Sequence, residues 1–227
     1  MQLCGVSLSP FYERVLMVIE TKGALDKIEQ SGIPGGFKSA QHMEHNPLGL
    51  IPYLIKDDGS VLPEGQVIAE YLDRVLEGPS VMPVDADGAA NVQLVCRLVD
   101  LYVVRATTPM LRALVFNNRN EEEITKAVST DWPAALDMLE HFKPDTKFAA
   151  ANVLTIADYS LIPLMFQMQT FFVHFGIAGF GNRPKLNAWW NTVKDLDVVK
   201  NSHSRMAISF QMIRDAQEKA AAKSREK

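Results

Sequence analysis

Apolar residues fall into two textures along the 227-residue chain, and the change comes near residue 80. Upstream, the apolar runs are short. Gln2 to Val6 reads as an opening strand, Pro10 to Lys22 as a helix closed by Gly23, and Ile51 to Ile55 and Val61 to Leu62 as extended pieces around the turn Asp57-Asp58-Gly59-Ser60. A Gly/Pro-rich loop occupies Gly32 to Gly36, and Val67, Ile68, Tyr71 and Leu72 mark a helix opening near Glu64. Beyond the connector Gly78-Pro79-Ser80-Val81-Met82-Pro83, apolar positions recur at helical spacing: Val92, Val95, Leu98, Val99, Tyr102 and Val103, then Trp132, Leu136 and Leu139, then Leu154 to Phe175 and Leu186 to Val199. The pattern predicts a small α/β unit over residues 1–78 and an all-helical unit over residues 84–227. The tail from Asp215 to Lys227 is expected to be a solvated helix end or a frayed terminus.

One segment tests whether the helical unit enters a membrane. From Tyr159 to Asn182 there is no Asp, Glu, Lys or Arg, a length sufficient to span a bilayer. Gln167, Gln169, Thr170 and His174 recur inside it, Pro163 is expected to break its first turns, and Gly176, Gly179 and Gly181 loosen its end. A buried core helix is the better reading, a partly exposed wall of a ligand pocket is the alternative, and no membrane partner is expected.

Composition narrows the function classes. Lys and Arg number 23 and Asp and Glu 27, a formal net charge of −4, with 47% apolar and 22% charged residues. This excludes a disordered chain and a polyphosphate binder, so no nucleic-acid partner is expected. Cys4 and Cys96 cannot build a disulfide framework, lack metal-ligand spacing and are expected in the core. Of the histidines, His42 and His45 lie near the candidate site below, while His141, His174 and His203 are scattered; no metal is expected. The opening residues carry no positively charged flank before a long apolar run, and a reduced, cytoplasmic protein is expected.

Candidate chemistry gathers where the first strand meets the first helix. Ser9 is a good N-cap and Pro10 a good first helical residue, because proline has no N–H to leave unpaired and its φ is already helical. A helix N-terminus carries unpaired N–H groups and partial positive charge, so a hydroxyl there either caps the helix or sits beside an anion such as a thiolate. In Asn46-Pro47-Leu48-Gly49-Leu50-Ile51-Pro52-Tyr53, a proline just ahead of an apolar strand cannot donate to a ladder. A cis peptide there would turn the Ile51 N–H and C=O outward toward an extended peptide, whereas an ordinary trans proline would not. Glu64 at the start of the third helix either favours the helix dipole or binds an ammonium group.

Together these segments resemble the glutathione transferase family, in its serine-type, tau-like branch. The resemblance rests on Ser9-Pro10-Phe11 with Arg14-Val15, and on Lys38-Ser39 ahead of Asn46-Pro47. It continues with Val81-Met82-Pro83, with the capping-box pattern Thr155-Ile156-Ala157-Asp158, and with Arg183-Pro184-Lys185-Leu186 and Trp189. It implies an α/β thioredoxin-like N-terminal domain followed by an all-α C-terminal domain, usually as a homodimer, with glutathione as co-substrate and no metal.

By the same resemblance Ser9 would stabilise the glutathione thiolate. Phe11 and the cis-proline pair Ile51 and Pro52 would line the peptide, with the Ile51 main chain on the cysteinyl backbone. Glu64, Gly65 and Gln66 would hold the γ-glutamyl end, and Lys38 the glycyl carboxylate. The second substrate, a small hydrophobic electrophile, would lie between Ser9 and the helical domain, with Phe11, Tyr12, Tyr102, Arg105, Met110, Phe171 and His174 as candidate walls, plain core packing being the other reading of most of them. Two residues depart from the family pattern: Gly65 stands where a serine hydroxyl is usual, and Leu50 where lysine is frequent. Restoring the hydroxyl with Gly65→Ser is expected from sequence to tighten glutathione binding. Peroxidase, isomerase or ether-cleaving chemistry on the same site, or a non-catalytic ligand carrier, are the alternatives.

Overall fold

The computed structural model describes the backbone of residues 1–225 and side chains through residue 219, so part of the predicted tail lies outside the described residues. The first unit runs β1 (Gln2–Cys4), α1 (Pro10–Thr21), β2 (Glu29–Ser31), α2 (Ala40–His45), β3 (Tyr53–Ile55), β4 (Val61–Pro63) and α3 (Gly65–Val75). Its sheet has the order β2-β1-β3-β4. β1 and β2 are parallel and therefore need the crossover that α1 provides, whereas β3 is antiparallel to β1, with Cys4 opposite Tyr53, and forms a hairpin with β4. This is the thioredoxin-like arrangement.

The second unit is helical. α4 (Ala86–Leu98) passes through a π-helical turn, Val99–Val103, into α5 (Val104–Val115). α6 (Glu121–Lys126) passes through a second, Ala127–Asp131, into α7 (Trp132–Phe142). α8 (Ile156–Thr170), a 3-10 turn (Phe172–Phe175), α9 (Pro184–Val193) and α10 (Asp197–Arg225) complete it. Among the described residues no helix is long and apolar enough to cross a membrane.

α8 is the axle of the helical unit, every residue from Ile156 to Met168 being buried. Its start is fixed by the capping box of Thr155 and Asp158. The Asp158 carboxylate accepts from the Thr155 amide (2.8 Å), the Ala149 amide (2.9 Å) and the Trp189 indole (2.8 Å). Burial still pushes this carboxyl above its ordinary value, because desolvation outweighs the donors. Pro163 does not break the segment, contrary to expectation: it sits inside α8, at the cost of one backbone bond to Tyr159. The break comes at Phe171, where the 3-10 turn begins, and Gly176 closes that turn with φ 81°.

α1 is sandwiched between the sheet and the helical unit, which is why Tyr12 to Ile19 are all buried. Polar bonds fix its seat. The Thr21 hydroxyl meets the Tyr159 hydroxyl at 2.6 Å, and Arg14 donates to both oxygens of Asp100 at 2.5 and 3.0 Å. From α10, Arg205 donates to Glu13 and Glu20, each at 2.9 Å. The connector is held by Asp73, which takes the Val81 amide at 2.9 Å and pairs with Lys22 at 2.8 Å.

Candidate functional site

Ser9 is the N-cap of α1 and Pro10 its first residue, but the Ser9 side chain makes no capping hydrogen bond. Its hydroxyl is left to the cleft between the two units. Beside it, the half-buried Phe11 ring has the Arg14 guanidinium carbon 5.6 Å from its centroid.

The Ile51–Pro52 peptide is cis. The loop preceding it is braced from α2 by His42, which is fully buried. The Lys38 amide donates to His42 Nδ1 at 2.9 Å, so Nε2 carries the proton and donates to the Leu50 carbonyl at 3.2 Å. Asn46 Nδ2 donates to the same carbonyl at 2.8 Å. One imidazole therefore fixes the spacing between the Lys38 loop and the Leu50–Pro52 turn, a role its place in the sequence did not reveal.

Glu64 is exposed and caps α3 with φ 72°, and Lys38 is exposed with φ 60°. A non-glycine residue in the left-handed region is uncommon, and such residues cluster at functional sites. Gly65 is buried against α1: a Cβ there would lie 2.9 Å from the Phe11 carbonyl oxygen. The Gln66 side chain is already engaged, accepting from Arg14 at 3.1 Å and donating to Glu70 at 2.8 Å.

A cavity of about 480 Å³ opens at Ser9. The first unit contributes Val6, Leu8, Ser9, Pro10, Phe11, Ile33, Phe37, Leu50 and Ile51; the second contributes Val104, Thr107, Thr108, Leu111, Val115 and Phe116, with Gln167 from α8 and Ile213 from α10. None of these side chains is charged. Val104, Thr107, Thr108, Leu111 and Val115 are spaced three and four apart, so they form one face of α5.

Of the residues expected to wall the second-substrate site, Phe11 lines this cavity and the others do not. Tyr12 and Met110 are buried in the core, and burial pushes the Tyr12 hydroxyl well above its ordinary value. Tyr102 and Arg105 lie on the solvent side of their helix, and Phe171 is buried, packed edge-on against Phe210 with centroids 4.6 Å apart. None of the five lines the cavity, and neither does the exposed His174. Side-chain type alone points to them, whereas the wall is set by which flank of α5 borders the first unit. Ser9, Phe11 and Ile51 do line the cavity; Lys38, Glu64, Gly65 and Gln66 stand outside it. Among the described residues no group of three His, Cys, Asp or Glu could hold a metal ion.

Comparison with known proteins matches residues 8–75 to the model for the glutathione S-transferase N-terminal domain and residues 98–197 to that for the C-terminal domain. Among curated proteins, the chain is 24% identical over 196 residues to glutathione S-transferase omega-1 of Mus musculus, covering 86% of this chain and 76% of that protein. It is 26% identical over 204 residues to glutathione S-transferase U3 of Arabidopsis thaliana, covering 88% and 86%. Among solved structures, glutathione transferase F7 of Populus trichocarpa superposes with a TM-score of 0.74 at 23% identity, over 90% of this chain and 98% of that one. Maleylacetoacetate isomerase of Methylobacterium extorquens AM1, solved with bound malonate and GSH, superposes with a TM-score of 0.73 at 21% identity, over 89% and 96%.

Proposed function

The chain belongs to the glutathione S-transferase family, and from that premise we propose that it is an enzyme that joins the sulfur of glutathione to a small hydrophobic electrophile, with Ser9 as the group that stabilises the thiolate. The observation that carries this reading is the Ser9 hydroxyl, which stands at the positive end of α1, is not spent on capping, and opens on an uncharged cavity. A cysteine thiol ionises near pH ~8.5, so attack at neutral pH needs the thiolate favoured over the thiol. Lowering that pKa by about two units takes ~2.7 kcal/mol, within reach of one charge-assisted hydrogen bond and a helix dipole.

Glutathione would lie along the first unit. The Ile51 main chain, beside the cis Pro52, would pair with the cysteinyl backbone. Glu64, raised by its positive φ at the α3 N-terminus, would meet the γ-glutamyl ammonium, and the Gly65 and Gln66 amides the γ-glutamyl carboxylate. Lys38, on the loop that His42 braces, would meet the glycyl carboxylate. The seated sulfur would face the uncharged cavity, which excludes water from the nucleophile and receives an apolar partner. This suits a serine-type, tau-like detoxifying transferase. Two buried free cysteines favour a reduced, cytoplasmic setting, and exposed Leu94, Leu101 and Tyr102 favour a homodimer.

The test is calorimetric titration with glutathione followed by conjugation of 1-chloro-2,4-dinitrobenzene. Binding together with thioether formation is expected. Absence of both refutes the proposal, and binding without conjugation would mark a ligand carrier.

A further inference from the structure

The loop that carries Lys38 is held by a hydrogen bond to a ring that no ligand can touch. His42 is fully buried, its ring stacked 5.6 Å from that of Tyr53 and tilted 5.7 Å from that of Phe37. Its Nδ1 accepts from the Lys38 amide at 2.9 Å, and among the described residues that amide has no other acceptor. Lys38 has a φ of 60°, uncommon for a residue with a side chain, so its conformation depends on what holds it. From there the side chain runs over the turn ahead of Pro52: its Cε lies 3.9 Å from the point where a Cβ would stand on Gly49.

The two ends of the imidazole are not equally replaceable. Nε2 donates to the Leu50 carbonyl at 3.2 Å, but Asn46 Nδ2 donates to the same oxygen at 2.8 Å, so the turn that presents Ile51 keeps a closer donor without His42. The start of α2 does not need the ring either, because the Ser39 hydroxyl accepts from the His42 amide at 3.1 Å. The Lys38 amide has no such substitute. Removing the imidazole therefore frees chiefly the Lys38 backbone, and with it the ammonium. Leu50 brings no charge to the turn, so at this end of the peptide the placement of Lys38 matters all the more.

Resting on the transferase reading, we infer that His42 is a positioning residue that makes the site select a free glycyl carboxylate, acting through Lys38. The imidazole itself meets no ligand. It fixes the Lys38 backbone before glutathione arrives, so less ordering of a long side chain remains to be done on binding. The carboxylate then meets a charge already in place, and the charge-assisted bond is realised in full. The γ-glutamyl end at α3 and the cysteinyl backbone at Ile51 are held by other groups, so the effect is confined to one end of the peptide.

The test is calorimetry with glutathione and with its glycyl ethyl ester, whose ratio of dissociation constants reads the carboxylate. In the wild type the ester should bind about tenfold more weakly, the size of one charge-assisted hydrogen bond. His42→Gln, which keeps a donor near Nε2 and loses the acceptor at Nδ1, should bring the ratio close to one. His42→Asn, which keeps an acceptor near Nδ1, should retain most of the preference. Lys38→Met should abolish it, and adding His42→Gln to Lys38→Met should change the ratio no further, because one residue acts through the other. His42→Phe, which fills the space between Phe37 and Tyr53 with neither bond, repeats the measurement should the glutamine variant unfold. A preference that survives in a folded Gln or Phe variant overturns the assignment, as does a wild type that binds the two peptides equally. If the preference depends on residue 42 but 1-chloro-2,4-dinitrobenzene is not conjugated, the assignment stands and the transferase reading falls. If conjugation proceeds with a preference indifferent to residue 42, the transferase reading stands and the assignment falls. A wild type that binds neither peptide overturns both.

Discussion

A Cβ on Gly65 would come within 2.9 Å of the Phe11 carbonyl oxygen and 3.1 Å of the Phe11 Cβ. The first turns of α1 and α3 meet there, and only glycine lets them meet so closely. The hydroxyl missing from residue 65 is therefore not an empty place waiting for serine, as the sequence alone suggested. Gly65→Ser forces Phe11 and the Ser9 turn to move, at a cost of about 1–3 kcal/mol of stability. A lower thermal midpoint and weaker glutathione binding by calorimetry are expected; tighter binding at an unchanged midpoint would show that the helix start yields freely.

Removing the Ser9 hydroxyl should act on the thiolate and on little else. Since Ser9 makes no capping bond, Ser9→Ala costs no cap and should leave the thermal midpoint nearly unchanged. Conjugation near pH ~7 should fall by at least tenfold, with partial recovery above pH ~9, where glutathione ionises unaided. A pH profile of kcat/KM checks this, and an equal loss at every pH would remove the assigned role.

Arg14 is 1% exposed, and Asp100 supplies its carboxylate from the other structural unit. Asp100→Ala leaves a buried guanidinium without its counter-charge, and Gln66 offers only one neutral acceptor in its place. The expected loss is about 3–5 kcal/mol in urea unfolding, and pairing Asp100→Ala with Arg14→Met should recover part of it. A loss under ~1 kcal/mol would mean that water reaches the pair.

His203 gives the fold an acid-sensitive element. Its ring lies against Trp190 at 6.0 Å and Phe166 at 5.7 Å, and its Nε2 donates to the Ile162 carbonyl at 3.1 Å. Burial holds its pKa below the ordinary 6.5, so as pH falls the unfolded chain takes up the proton first. This contribution is complete above the ordinary value and is lost as pH drops through the lowered one. Burial pushes the Glu13 and Asp158 carboxyls up, and they act in the opposite sense, so a difference measurement is needed. Thermal midpoints from about pH 7 to about pH 5 should fall less steeply in His203→Gln than in the wild type; parallel curves would reject the role.

What was legible in the sequence was local. Ser9-Pro10 starting a helix, Thr155 and Asp158 opening the buried one, and a proline ahead of β3 each depend on neighbouring residues, and each element begins where those residues stand. β2 was not legible, because Glu29-Gln30-Ser31 has no apolar alternation and is extended through its pairing with β1. The cavity wall was half legible. Periodicity marks a stripe on α5 but not which flank faces the first unit: Val104, Thr107 and Leu111 line the cavity, whereas side-chain type points instead to Tyr102 and Arg105. Gln167 reads in the sequence as a polar interruption of an uncharged run; that its amide nitrogen is buried without a partner among the described residues is visible only in the structure.

The clasp between Glu13 and Arg205 has a consequence for how the molecule is made. Glu13 is wholly buried in the finished protein, and its guanidinium partner lies 192 positions later in the chain. At about 5–20 residues per second, a ribosome delivers that partner roughly 10–40 s after the carboxylate. Until then the helix that begins at Ser9 carries an acid it cannot yet bury, and the nascent α/β unit must keep that face open to water. The helix that begins at Ser9 therefore reaches its final seat only after Arg205 has been made, so a nascent chain shorter than that should hold no finished cavity between the two units.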